Sequence, residues 1–321
     1  MPLVKYIDPE IAHTIAVKAL AWRFVPKQKL EDPVSLRTNV WDLIFKNPLG
    51  MAAGFDKQGE AIEGLHDIGF SFVEIGSITP MPQEGNPKPR VFRLLEDNAI
   101  VNRYGFNSDG HDVVWERIKK LRNNKDFNDV ADYFVINVSS PNTPGLRSLQ
   151  NKKNLENLLT KVNEVRKAIG SKQPLLLKLA PDLSETERQD VADVVLQANT
   201  KVDGLILCNT TISRLNLINE NKKENGGLSG APLTDVSTRI ISDMYKRTYG
   251  KIPIIGVGGV FSGEDAYHKI KAGACLIQLY TSYIYNGPPI VGKIKSELNE
   301  ILKKDGFSCI SEAVGKDTKV S

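Results

Sequence analysis

Cysteine and histidine are scarce: the chain has three Cys and four His in 321 residues. Cys208, Cys275 and Cys309 stand far apart, with no CxxC pair and no His at ligand spacing. That excludes a disulfide framework and a structural zinc site, so no metal is expected, and each thiol reads as a small buried hydrophobe. No apolar run approaches the roughly twenty residues that cross a bilayer. The opening residues, MPLVKYIDPE, carry neither a secretory core nor an Arg-rich transit peptide. Dense Lys/Arg blocks are lacking and the net charge is only +4, so nucleic acid is not an expected partner. Neither low-complexity linkers nor solenoid-type repeats divide the chain.

What is present is alternation. Residues 48–54, 71–77, 133–139, 175–181, 204–210, 253–259 and 275–281 are short, nearly continuous apolar runs, as a strand covered on both faces requires. Helical stretches at 57–68, 110–122, 151–169, 184–198, 234–246 and 263–272 separate them, and 289–303 follows the last. Such alternation predicts right-handed crossovers and a parallel sheet, better closed into a (β/α)8 barrel than left open. Each run ends in Gly, Ser, Thr, Asn or Pro, which gathers polar groups on the face where barrel enzymes carry their chemistry.

Two segments stand outside this frame. Residues 8–24 place Ile11, Ile15, Ala19 and Trp22 on one helical stripe, with Ala12, Ala16 and Leu20 beside it. Asp8 is a suitable cap and Pro9 suits the first turn. This helix either packs on the barrel or faces a lipid surface. Residues 90–106 read as a hairpin with a Glu-Asp-Asn turn, its second strand ending in Asn102 over the catalytic face.

Several strand ends suggest chemistry. The run VINVSS passes from β-branched residues into Asn137, Ser139, Ser140, Asn142 and Thr143, crowded around two prolines. Turn chemistry and a site for a small polar ligand explain it equally well. GVGGV (256–260) and the backbone-rich loop GGLSG (226–230) are places where N–H groups can approach a phosphate. Lys178 lies inside the apolar run LLLKLAP, where an unpaired ammonium is costly, so it should meet an anion or an electron-rich cofactor. Lys57 follows AAGFD, as a surface residue or a site residue. All four His fall in helical stretches, which leaves a hydroxyl or Lys as the proton-transfer candidate.

Taken together, GMAAGFDKQGEA, EIGSITPMPQEGNPKPRVFRL, VNRYGFNSDG, NVSSPNTPGLRSLQ, KLAPDLS, NTTISR, GGLSGAPL, IIGVGGVFSGEDA and IQLYTSYIYNGP resemble the class 2, quinone-dependent dihydroorotate dehydrogenases. Class 1 relatives carry Cys where Ser140 stands. The resemblance implies a TIM-type barrel from 31 to 321, with amphipathic helices at 1–30 for quinone access and membrane association. It implies FMN, dihydroorotate oxidised to orotate, electrons passed to a ubiquinone-type quinone, and a place in pyrimidine synthesis at the mitochondrial inner membrane.

By motif match, Ser140 is the base, relayed through a water or a hydroxyl such as Thr143. Lys57, Asn102, Arg103, Tyr104, Gly105, Phe106, Asn137, Asn142, Thr143, Asn209 and Thr210 match substrate positions; Phe106 closes the site. The amides suit a ring that alternates N–H and C=O groups. Ala52, Ala53, Gly54, Phe55, Asp56, Ser77, Asn137, Lys178 and Cys208 match the flavin side, with Lys178 near N1 of the reduced ring. Gly230, Gly259, Tyr280 and Thr281 match the phosphate end. His13, Ala16, Arg93 and Tyr280 match the quinone site.

The family's presequence and transmembrane anchor are not visible. Between NRYGFNS and NVSSPN the family also has a strand with a flavin-contacting Asn, followed by a helix. Here that interval contains no apolar strand, so about thirty residues, one βα unit, are missing. The strands near 71–76 and 133–138 must then pair directly or stand apart. Either outcome predicts a weak seam, reduced FMN affinity and exposed edges. The alternative to an active dehydrogenase is a non-catalytic or poorly flavinated isoform.

Overall fold

The computed structural model describes residues 7–29, 31–121, 131–214 and 216–320. Strands β1 (Thr38–Val40) and β2 (Leu43–Phe45) form a short antiparallel hairpin. Then come β3 (Leu49–Met51), β4 (Phe72–Val73), β5 (Val91–Leu94), β6 (Ala99–Asn102), β7 (Phe134–Asn137) and β8 (Leu175–Leu179). The last four are β9 (Gly204–Leu207), β10 (Gly227–Gly230), β11 (Ile254–Val257) and β12 (Ala274–Leu279). All seven apolar runs became parallel strands of one sheet, ordered β4-β3-β12-β11-β9-β8-β7.

The helices follow the expected alternation: α1 (Pro9–Ala21), α2 (Ile62–Asp67), α3 (His111–Leu121), α4 (Lys152–Ala168) and α5 (Glu185–Val195). After them come α6 (Thr234–Arg247), α7 (Gly263–Ala272), α8 (Thr281–Asn286) and α9 (Pro289–Lys304). Burial on both faces explains why the strand sequences do not alternate with polar residues. Leu177, Leu205, Ile254 and Ile277 belong to a core shared with the helices, whereas Leu176, Ile206, Ile255 and Leu276 fill the lumen above Val40 and Phe45. Each such side chain contributes roughly 1.5–3 kcal/mol on burial.

Among the described residues the sheet does not close: β4 pairs only with β3, and β7 only with β8. Of the two outcomes expected for the missing unit, the strands stand apart. The exposure pattern agrees: β8 is buried along its whole length, while every residue of β7 is half-buried. Residues 122–130, in the interval where no apolar strand was expected, lie outside the described residues.

One sequence expectation needs correction, and one alternative left open can be resolved. GGLSG is not a loop: it forms β10, which pairs antiparallel with β6 to make the predicted hairpin a three-stranded sheet. The sequence left open how α1 is placed; the side that packs is not the Ile11–Trp22 stripe. Ala12, Val17 and Leu20 are buried, whereas Ile11, Ile15 and Trp22 are 56%, 55% and 69% exposed. Small residues allow the close approach that bulky ones forbid; a Cβ on Gly64 of α2 would stand 2.2 Å from the Leu20 carbonyl. Asp8 does cap the helix, accepting the Glu10 and Ile11 amides at 3.0 Å.

Candidate active site

The carboxyl ends of β6, β7 and β9 deliver four asparagines to one place. Asn137 ends β7; its amide donates to Ser77 at 3.0 Å and its carbonyl accepts Ser139 Oγ at 3.0 Å. Asn209, just beyond β9, donates to Ser139 Oγ at 2.8 Å and to the Asn137 carbonyl at 3.3 Å. Asn142 donates to Asn102 at the end of β6, 3.4 Å away, and Asn102 donates to the Gly227 carbonyl. Thr210 donates its amide to Asn209.

Ser140 is buried within this group, and its Oγ accepts the Asn142 amide at 3.3 Å. The hydroxyls bonded to the asparagine side chains are those of Ser77 and Ser139, the second of which was given no site role from sequence. Thr143 makes no recorded bond to Ser140; its carbonyl accepts the Leu146 amide.

Lys57 points to the same region. Its ammonium donates to Asn107 and sits 3.3 Å above the centre of the Tyr104 ring. Burial, with Arg90 adding to it, pushes this lysine down to about 7. Arg90 is itself buried, paired with Glu10 of α1 at 2.7 Å and donating to the Glu84 and Asn86 carbonyls. Arg103 pairs with Glu224 at 2.6 Å and so ties the hairpin to the segment leading into β10. The Gly105 and Phe106 carbonyls accept the Gln83 amide.

A second space adjoins this cluster. A cavity opens beside β8, β9, β11 and β12. Its wall includes Ala52, Ala53, Lys178, Cys208, Asn209, Thr210, Gly230, Gly259, Tyr280 and Thr281, so most of the expected flavin positions share one wall. Gly258, Ser229 and Gln278 join them unexpectedly. At one end the backbone itself forms the surface. A Cβ on Gly259, at φ +68°, would stand 2.4 Å from the Thr234 amide nitrogen; one on Gly230, at φ +108°, would stand 2.3 Å from the Asn98 carbonyl. Burial pushes the Cys208 thiol up to about 12, so it stays neutral.

Lys178 meets the anion its sequence position called for. Its partner is Glu74, 3.0 Å away, just beyond β4, and Gln278 donates to the other oxygen of that carboxylate at 2.6 Å. Glu74 was legible as the one acid in the apolar run SFVEIGS, but nothing local links it to a lysine 104 residues later.

Three expected positions do other work as well. The Asp56 carboxylate, fully buried, accepts the Glu60 and Ala61 amides at 2.8 Å. Gly54 donates to the Gly76 carbonyl and accepts the Tyr280 hydroxyl at 3.2 Å. Phe55 lies edge-on to His13, Tyr280 and Tyr283, at 5.2, 5.9 and 5.3 Å between centroids. His13, Phe55 and Tyr280 thus form an aromatic path from α1 to the cavity. Burial pushes His13 down to about 4, and its Nδ1 has no partner among the described residues. Ala16 packs against the core, and Arg93 donates to the Ile7 carbonyl at 2.7 Å.

The family model described as Dihydroorotate dehydrogenase matches residues 35–130 and 121–302. The chain belongs to the dihydroorotate dehydrogenase family. It is 47% identical to the mitochondrial dihydroorotate dehydrogenase (quinone) of Mus musculus, over 98% of this chain and 88% of that one. Against the mitochondrial enzyme of Oryza sativa subsp. japonica it is 46% identical, over 99% and 79% respectively. The ligand-free DHODH of Eimeria tenella superposes with a TM-score of 0.92 at 41% identity, covering 97% of this chain and all of that one. By this homology the chain is an enzyme of the quinone-linked kind. The mouse alignment runs over 350 positions against 321 residues here, and the two family matches meet at 121–130. The missing βα unit therefore falls between β6 and β7, where the sheet is open.

Proposed function

We propose that this site oxidises dihydroorotate to orotate with FMN and passes the electrons to a ubiquinone-type quinone, a step of pyrimidine synthesis. The observation that carries this reading is the convergence of Asn102, Asn137, Asn142 and Asn209 around Ser140 at the strand ends. Amides offer a donor and an acceptor each, which suits a pyrimidine edge. Lys57 binds the substrate carboxylate or a ring carbonyl. Ser140 removes the proton from C5 and needs a relay to do so, because a free hydroxyl is a weak base. When bound, FMN accepts the hydride from C6.

The cavity supports a phosphorylated flavin. The backbone around Gly230 and Gly259 leaves no room for side chains, so N–H groups rather than side chains line that end. Lys178 lies on its wall, where it would stabilise negative charge on a reduced flavin.

For the quinone, support comes from the aromatic path through His13, Phe55 and Tyr280, with Ala16 and Arg93 beside α1. The exposed Ile11, Ile15, Trp22 and Phe24 are the proposed contact with a membrane surface, residues 1–30 serving as the access segment and 31–321 as the flavin barrel. Among the described residues no helix is long and apolar enough to cross a membrane. The names of the mouse and rice relatives favour the mitochondrion, and the exposed face of α1 favours a membrane there, the inner membrane in this reading.

The open edge between β4 and β7 favours a second reading, in which the motifs persist but FMN is held poorly. Adding dihydroorotate to the FMN-loaded protein without oxygen tests the first reading. Loss of the oxidised flavin band is expected; an unchanged spectrum on bound flavin would overturn it.

A further inference from the structure

Three lysines are buried in the described structure, and they are not equivalent. Lys178 and Lys295 are 5% and 4% exposed, and each has a carboxylate partner: Glu74 at 3.0 Å and Asp32 at 2.6 Å. Lys269, on α7, is completely buried, yet it has no ion pair among the described residues. Its ammonium donates only to the Thr234 carbonyl at 2.9 Å and to Thr238 Oγ1 at 2.8 Å, both in the first turns of α6.

This position is electrostatically uphill. The start of α6 is the positive end of a 14-residue helix, and no side chain caps it. Burial pushes this lysine down to about 8, and negative charge facing it and the helix end would favour its charged form. Among the described residues no carboxylate bonds to the ammonium; Asp265, Cys208 and Asp235 act only through their field, which burial outweighs. The cavity lies on the other side of the same turn. Thr234 Oγ1 donates to the Gly259 carbonyl at 2.7 Å, and Ser237 Oγ donates to the Gly258 carbonyl at 3.0 Å. Both glycines, together with Leu233, face the cavity. One helical turn therefore holds Lys269 on its inner side and the glycine backbone on its outer side.

We infer that Lys269 is a positioning residue for the flavin phosphate, supplying from behind the α6 turn the positive charge that completes an otherwise uncharged backbone cradle. It does not touch the phosphate. It acts through Thr234, which it orients, and through its charge, which little solvent screens. This inference rests on the proposed reading that the Gly230–Gly259 end of the cavity takes the phosphate.

The test compares FMN with riboflavin, which lacks the phosphate, by fluorescence titration of the apoprotein. Wild type should prefer FMN; an absence of preference would overturn the phosphate end itself, and the inference with it. Lys269→Met should weaken FMN at least about tenfold while leaving riboflavin within about twofold. Lys269→Gln, which keeps a donor for Thr234 but no charge, should behave as the Met variant does and covers the case in which that variant does not fold. Lys269→Arg should retain the FMN preference. Equal weakening of both flavins in the Met or Gln variant would show a merely structural pin and overturn the inference, as would unchanged FMN binding.

Discussion

Lys178 and Glu74 lie 3.0 Å apart with their side chains 6% and 5% exposed, and they join β8 to the end of β4 across the open side of the sheet. With the Asn137–Ser77 bond at 3.0 Å, this pair ties together the two halves that the missing strand leaves apart. Side chains in the lumen thus take over part of what a backbone ladder does elsewhere.

Glu74→Gln should therefore destabilise the protein strongly. Removing one partner of a buried pair leaves an uncompensated charge and costs about 3–5 kcal/mol. Urea denaturation of the apoprotein measures it, and a loss below about 1 kcal/mol would mean that the pair carries little. Glu74→Gln with Lys178→Met together should recover part of the loss, because no charge is then left stranded.

Ser140→Ala should slow flavin reduction by about 10²–10⁴-fold, the usual contribution of a general base. FMN and orotate binding should be nearly unchanged, since Ser140 Oγ makes only the bond from the Asn142 amide at 3.3 Å. Stopped-flow reduction at the wild-type rate would remove Ser140 from the mechanism.

Lys57 sets a pH dependence on substrate binding. Its pKa is lowered to about 7, first by burial and then by Arg90, so the free site is protonated below that pH and largely neutral above it. An anionic substrate prefers the ammonium, so binding above pH 7 takes up a proton and Kd rises by up to about tenfold per pH unit. Lys57→Met should weaken binding and flatten this profile. A wild-type Kd constant from about pH 6 to about pH 8.5 would contradict the assignment.

The exposed face of α1 can be tested without disturbing its packed face. Ile11→Ser, Ile15→Ser and Trp22→Ser together should leave reduction by dihydroorotate intact while impairing turnover with a long-chain quinone in vesicles. Deleting residues 1–25 should also abolish quinone turnover, but it strips buried Arg90 of Glu10. The surface variant is thus the cleaner probe. Loss of both half-reactions in it would argue for a packing role.

Much of this was legible because it is local. The seven strands announced themselves as apolar runs, and the asparagines and Ser140 as polar residues at strand ends. What stayed hidden depends on pairing at a distance. β10 has weak strand propensity in GGLSG and exists because β6 offers it a ladder. Glu74 and Arg90 look ordinary until Lys178 and Glu10 come to meet them. Which side of α1 packs was open in the sequence, because it depends on the close approach of the Leu20 backbone to Gly64 of a distant helix.

Restoring the missing unit should strengthen the protein. A βα unit of about thirty residues from the mouse relative, placed between residues 121 and 131, should close the sheet. FMN affinity and melting temperature should both rise. If neither changes, the open edge has no energetic consequence.

The central claim is that the site remains competent for its reaction although the sheet is open. The protein should be loaded with FMN, freed of unbound flavin and mixed with dihydroorotate under anaerobic conditions in a stopped-flow spectrometer. The account predicts close to one flavin per chain and bleaching of its oxidised band, with orotate formed in equal amount. Bound flavin that stays oxidised, or a chain that retains no flavin at saturating FMN, would contradict it.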